Sequence, residues 1–121
     1  MADITIYHNP RCSKSRQALS LLQEQGQHPK IVEYLKTPLD TDALKKLLNQ
    51  LSLGAREILR TKEHEYEELG LDNPDLSDDK ILEAIANHPK LMERPIVVKG
   101  DRAAIGRPTE NILSLLTDGN E

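Results

Sequence analysis

Four uncharged residues, Ile4-Thr5-Ile6-Tyr7, lead through Asn9-Pro10 straight into a helical pattern, and this junction constrains the chain more than any other stretch. β-branched and aromatic side chains suit a short buried strand, and the Asn-Pro pair breaks it. Beyond the break, Cys12 or Ser13 can cap a helix whose apolar positions Ala18, Leu19, Leu21 and Leu22 share one side and which Gly26 ends. The first turn of a helix carries unpaired N–H groups and a partial positive charge, so an anion is stabilised there. Cys12 stands at that place, with His8, Arg11, Lys14 and Arg16 close in sequence. Such a setting lowers the pKa of a thiol, and the same N–H groups can hold an oxyanion. The plainer alternative is that Cys12 is a small buried hydrophobe.

Composition limits what a reactive thiol can do. Cys12 is the only cysteine among 121 residues, so no internal disulfide can form, and we expect a reducing, cytoplasmic compartment. The length suits one domain, and with three Tyr and no Phe or Trp its core must be built from Leu, Ile, Val and Ala. Met1-Ala2-Asp3 lacks the basic start of a secretory leader. No run approaches the ~18 apolar residues of a membrane span, so no membrane partner is expected. A net charge of −4 is the wrong sign for a chain whose main partner is nucleic acid. An anion site must therefore be a local positive island.

The chain then alternates as an α/β domain does. Lys30 to Leu35 reads as a second strand, closed by Thr37-Pro38. Asp40 or Thr41 caps a helix through Ala43, Leu44, Leu47, Leu48 and Leu51, with Gly54 as its stop. A short helix starts near Ala55 and runs into the acidic segment Lys62 to Glu68. Glu63-His64-Glu65-Tyr66-Glu67-Glu68 has no metal-ligand spacing and reads as a solvated helix face, so no metal is expected. Ser77 caps a helix containing Ile81, Leu82, Ala84 and Ile85, ended by His88-Pro89. Ile96 to Lys99, Gly100-Asp101 and Arg102 to Ile105 make a hairpin. Pro108 opens a last helix with Ile112, Leu113, Leu115 and Leu116, and residues from Thr117 onward look frayed. The order is βαβ, a helical block over about residues 40–90, then ββα, all within a single domain spanning residues 1–121.

That order, with cysteine where the first strand meets the first helix, resembles the thioredoxin-like fold with a helical insertion between its halves. Five separated stretches narrow the resemblance. HNPRCSKSR at His8 to Arg16, IVEYLKTP at Ile31 to Pro38, Leu59-Arg60, LMERPIVV at Leu91 to Val98 and IGRP at Ile105 to Pro108 are similar to the glutaredoxin-dependent arsenate reductase family. The resemblance implies that Cys12 is the nucleophile attacking arsenate and that His8 helps keep it ionised. It implies that Arg60, Arg94 and Arg107 form the oxyanion site, and that the peptide before Pro95 is cis. It further implies that glutathione is the reductant, that glutaredoxin resolves the resulting mixed disulfide with release of arsenite, and that no cofactor is bound. The residues agree with this chemistry. Planar guanidinium groups match pairs of oxygens on a tetrahedral anion. A single protein thiol also needs an external thiol to complete a two-electron reduction.

Each residue has a plainer role beside this one. Arg60 lies near Glu57, Glu63 and Glu67 and reads as a surface ion pair worth at most ~1 kcal/mol. His8 reads as a hydrogen-bonded loop histidine, and Ser13 and Ser15 as capping residues, with the Ser15 hydroxyl available to assist the anion. Arg94 and Arg107 each precede proline and so occupy extended or turn backbone. Two rival functions share parts of the pattern. A tyrosine-phosphatase-like loop needs an arginine six positions after the cysteine, where Ala18 stands here. An Spx-like regulatory module uses a Cys-x-x-Cys switch, and Asn9 and Ser15 occupy the positions of its second cysteine, leaving only a redox-independent binding role. A thiol-handling relative acting on another substrate stays open.

Overall fold

A computed structural model describes residues 3–117. Two compact units make up the chain, one formed by the segments ending at Thr37 and beginning at Arg94, the other by Pro38–Glu93.

The first unit is a four-stranded sheet with helices. Strands β1 (Ile4–Tyr7), β2 (Lys30–Val32), β3 (Ile96–Lys99) and β4 (Arg102–Ile105) lie in the order β2-β1-β3-β4. β1 pairs with β2 in parallel, and the pairs β1/β3 and β3/β4 are antiparallel. This gives the βαβ and ββα halves of a thioredoxin-like α/β fold. Helix α1 (Ser13–Glu24) crosses between β1 and β2. Alternation along β1 buries Ile4 and Ile6, which pack with Ala18 and Leu22 of α1, Val97 of β3, and Ile112 and Leu115 near the C-terminus. Fully burying such an aliphatic side chain stabilises by roughly 1.5–3 kcal/mol. The buried face of α1 consists of Ser15, Ala18 and Leu22, while Leu19 and Leu21 are only partly covered. Gly26 takes a left-handed φ of 77°, and the Gln27 N–H closes the helix end on the Leu22 carbonyl at 3.0 Å.

The second strand is shorter than its composition suggests. β2 stops at Val32, whose carbonyl accepts the His8 N–H at 2.8 Å, because beyond that point β1 has turned away into Asn9-Pro10 and offers no ladder. The chain turns instead, the Lys36 and Thr37 N–H groups both donating to the Glu33 carbonyl. The last helix also differs. Pro108 lies just outside a 3-10 turn, Thr109–Ile112, which passes into α5 (Leu113–Thr117). The expected frayed end starts at Thr117, which is the last residue of α5, and its other residues, 118–121, lie outside those described.

The second unit is helical. Asp40 caps α2 (Thr41–Leu51), its Oδ1 accepting the Ala43 N–H at 2.8 Å. The stop is Ser52 rather than Gly54: Ser52 adopts a left-handed φ of 58°, and the Leu53 N–H reaches the Leu48 carbonyl. A 3-10 turn, Ala55–Ile58, leads to α3 (His64–Glu68), which buries no residue. The Ser77 hydroxyl oxygen accepts the Lys80 N–H at the start of α4 (Asp78–Asn87). Leu44 and Leu47 of α2, with Ile81, Leu82 and Ile85 of α4, are buried. The Arg60 N–H donates to the Leu91 carbonyl and the Glu93 N–H to the Ile58 carbonyl, both at 2.7 Å, around a Leu59–Met92 bridge.

Candidate active site

The turn between β1 and α1 is held by hydrogen bonds within its own residues. Asn9 Oδ1 accepts the Arg11 N–H at 3.0 Å, the Asn9 carbonyl accepts the Cys12 N–H at 3.0 Å, and the Arg16 guanidinium donates to the Pro10 carbonyl at 2.8 Å. Cys12 is the N-cap of α1 in extended backbone, and its side chain makes no cap hydrogen bond. Burial pushes the thiol pKa up, and this is the largest single influence. The backbone N–H of Ser15, the charge of Arg94, the backbone N–H of Lys14 and a hydrogen bond from the Arg94 side chain together outweigh it, so the thiol lies below its ordinary value.

Two arginines far apart in sequence converge on this sulfur. Arg107 Nη2 lies 3.6 Å from Cys12 Sγ, and Arg107 Nε donates to the Arg94 carbonyl at 2.7 Å, which ties one guanidinium to the backbone of the other. The peptides Arg94–Pro95 and Arg107–Pro108 are both cis. Pro95 is buried, and its carbonyl accepts the Gly106 N–H at 2.9 Å. A Cβ on Gly106 would sit 2.9 Å from Pro95 Cγ, so glycine is what lets this backbone lie against the Pro95 ring.

Among the described residues of this unit, His8 and Ser15 are the buried polar ones, 6% and 0% exposed. His8 Nδ1 lies 2.6 Å from Ser15 Oγ, which also accepts the Asn9 N–H at 3.0 Å. The Ser15 hydroxyl is thus engaged inside the loop by these two contacts. Burial lowers the His8 pKa most; Glu33 pulls it up and Arg16 pushes it down, leaving the imidazole below its ordinary value. Arg60 belongs to the second unit, where its Nη2 pairs with Glu63 Oε2 at 3.3 Å and its Nη1 reaches the Lys90 carbonyl at 3.4 Å.

The expected residues Cys12, Arg94 and Arg107 are therefore brought together, with His8 and Ser15 linked in the same loop. Asn9, Arg16 and Gly106 hold the site's backbone and were not singled out for it. An Asn before Pro is a signal for the first, whereas Arg16 and Gly106 carry no local signal. Among the described residues, no cluster of His, Cys, Asp or Glu can hold a metal, and no helix is long and apolar enough to cross a membrane.

A site of this kind can ionise a thiol and present it to a tetrahedral anion held by guanidinium groups. The model of the ArsC family matches residues 7–115. An arsenate reductase of Neisseria meningitidis serogroup A is 56% identical over 96% of the chain and all of its own length. An Escherichia coli protein named uncharacterized protein YfgD is 50% identical over 93% of the chain and 96% of its own length. The solved arsenate reductase of Vibrio cholerae superposes with a TM-score of 0.91 at 48% identity, over 93% of this chain and 97% of that one.

Proposed function

Because the chain belongs to the ArsC family, we propose that it reduces arsenate to arsenite, with Cys12 as nucleophile and with arginines as the anion's ligands. The observation that carries this reading is the meeting of Arg94 and Arg107 at a half-buried sulfur whose thiolate form is favoured. The thiolate attacks arsenic and displaces one oxygen, which leaves as water after taking up protons. Negative charge on the remaining oxygens is met by preorganised guanidinium donors. Arsenic is not yet reduced at that point.

The reduction needs an electron pair from two thiols, which end joined as a disulfide. Arsenate and two thiols give arsenite, water and one disulfide, and Cys12 provides only one of those thiols. Glutathione is the second thiol and glutaredoxin the protein that returns Cys12 to its reduced state. These are co-substrate and partner, and no bound cofactor is required. Both belong to the reducing cytoplasm, which is the compartment we assign. Arg60 joins the anion ligands on the strength of its sequence motif. His8 acts in keeping Cys12 ionised.

The test is oxidation of NADPH by the protein coupled to glutathione, glutaredoxin and glutathione reductase. Arsenate should stimulate it, and Cys12→Ser should abolish the stimulation. In the same assay Arg60→Ala, Arg94→Ala and Arg107→Ala should each raise the KM for arsenate about tenfold or more, the loss of a charge-assisted hydrogen bond. Phosphate and selenate as competitors report which oxyanion the site prefers. A rate no greater than that of Cys12→Ser would defeat the assignment.

A further inference from the structure

We propose that Ser15 is a positioning residue for the Cys12 thiolate, and that His8 acts on Cys12 through Ser15 as an uncharged hydrogen-bond acceptor rather than as a neighbouring cation. The inference rests on Cys12 being the nucleophile and assigns how its loop is held. Cys12 is the N-cap of α1, so Lys14 and Ser15 are its second and third helical residues, whose N–H groups point at an N-cap side chain. No cap hydrogen bond closes on the sulfur, yet both N–H groups hold the thiol pKa down. While the Ser15 backbone N–H favours the thiolate, its side chain is wholly buried. There the hydroxyl joins the end of β1 to the start of α1 by two contacts, the Asn9 N–H at 3.0 Å and His8 Nδ1 at 2.6 Å. The helix turn that aims N–H groups at Cys12 is thus pinned from behind.

Hydrogen-bond counting sets the direction of the short contact. A serine hydroxyl has one proton to give and can accept, and the Asn9 N–H is already donated to its oxygen. Were Nδ1 also a donor, the Ser15 proton would be left in a buried place without an acceptor, a cost that the opposite arrangement avoids. The hydroxyl therefore donates to an unprotonated Nδ1, and the ring carries its proton on Nε2. The charged groups around the ring agree: Arg16 opposes a positive imidazole and Glu33 favours it, with burial the dominant influence against charge. His8 therefore stabilises the thiolate without a charge of its own, by fixing the rotamer of Ser15 and with it the first helical turn, whose N–H groups favour the anion.

The chain has a single thiol, so its alkylation by iodoacetamide as a function of pH reads Cys12 alone. Ser15→Ala and His8→Ala should each slow alkylation at neutral pH about fivefold and move the profile to higher pH. The double variant should be no slower than the slower single one, since both break one linkage. His8→Asn offers an amide oxygen near the position of Nδ1 and never ionises, so it should keep most of the wild-type rate. Circular dichroism identifies the folded variants to be compared. A His8→Asn rate as low as that of His8→Ala, with Ser15→Ala unchanged, overturns the proposal in favour of a direct cationic role, and additive losses in the double variant overturn it too. The readout uses no oxyanion, so failure of the reductase assay and failure of this test are separate results.

Discussion

Sulfur at the N-cap of α1 and imidazole just behind it are perturbed by the same burial in opposite senses of charge. The thiolate recovers what burial costs because backbone N–H groups and Arg94 face it. The imidazole has Glu33 on one side and Arg16 on the other, and it stays neutral. A stability consequence follows from linkage. With its folded pKa below the ordinary histidine value of 6.5, His8 binds fewer protons in the folded chain than in the unfolded one as pH falls below that value. Stability contributed by neutral His8 is thus present above 6.5 and is lost as pH drops from there toward the folded pKa. Urea melts between neutral and mildly acidic pH should show this decline in the wild type and a shallower one in His8→Asn. Parallel declines would assign the acid sensitivity to other groups.

Among the elements, caps and ladders decide where segments end. Ser77 caps as read from its position and Asp40 is the one of the Asp40–Thr41 pair that caps, because an N-cap bond is made within three residues and needs nothing from the rest of the fold. Ser52 shows a local compromise, a non-glycine residue at a left-handed φ of 58° closing α2 two positions before Gly54. Ser52→Gly should therefore stabilise the chain by about 0.5–1 kcal/mol, seen as a raised midpoint in thermal or urea unfolding. A lowered midpoint would mean that the serine makes up for its backbone strain in another way. Strand β2 ends early for the opposite reason. Its apolar letters continue to Leu35, but a strand lasts only as long as its partner, and β1 leaves after Tyr7.

At the scale of the molecule, chemistry and bulk stability draw on different residues. The helical unit 38–93 has its own buried set, in which Leu82 is 1% exposed, and none of the contacts that lower the Cys12 pKa comes from α4. Leu82→Ala should cost about 2–5 kcal/mol in unfolding free energy. The alkylation profile of its folded population should match the wild type. A shifted profile would show that packing in this unit tunes the thiol.

What the amino-acid order determined alone is everything with a short reach. The strand-to-helix junction at Cys12, the caps at Asp40 and Ser77, the Gly100-Asp101 turn and the apolar spacing of α2 and α4 depend on neighbours a few positions away. The five separated motifs also sufficed for the family. Tertiary structure alone decided that Arg107, 95 residues from Cys12, reaches its sulfur, since only the antiparallel pairing of β3 with β1 and β4 brings the ends of those strands to the helix mouth. It also decided which way Ser15 faces. A serine in the first turn of a helix has no preference for sulfur, solvent or histidine in its letter code; packing α1 on the sheet turned that hydroxyl inward and left its N–H for the thiolate.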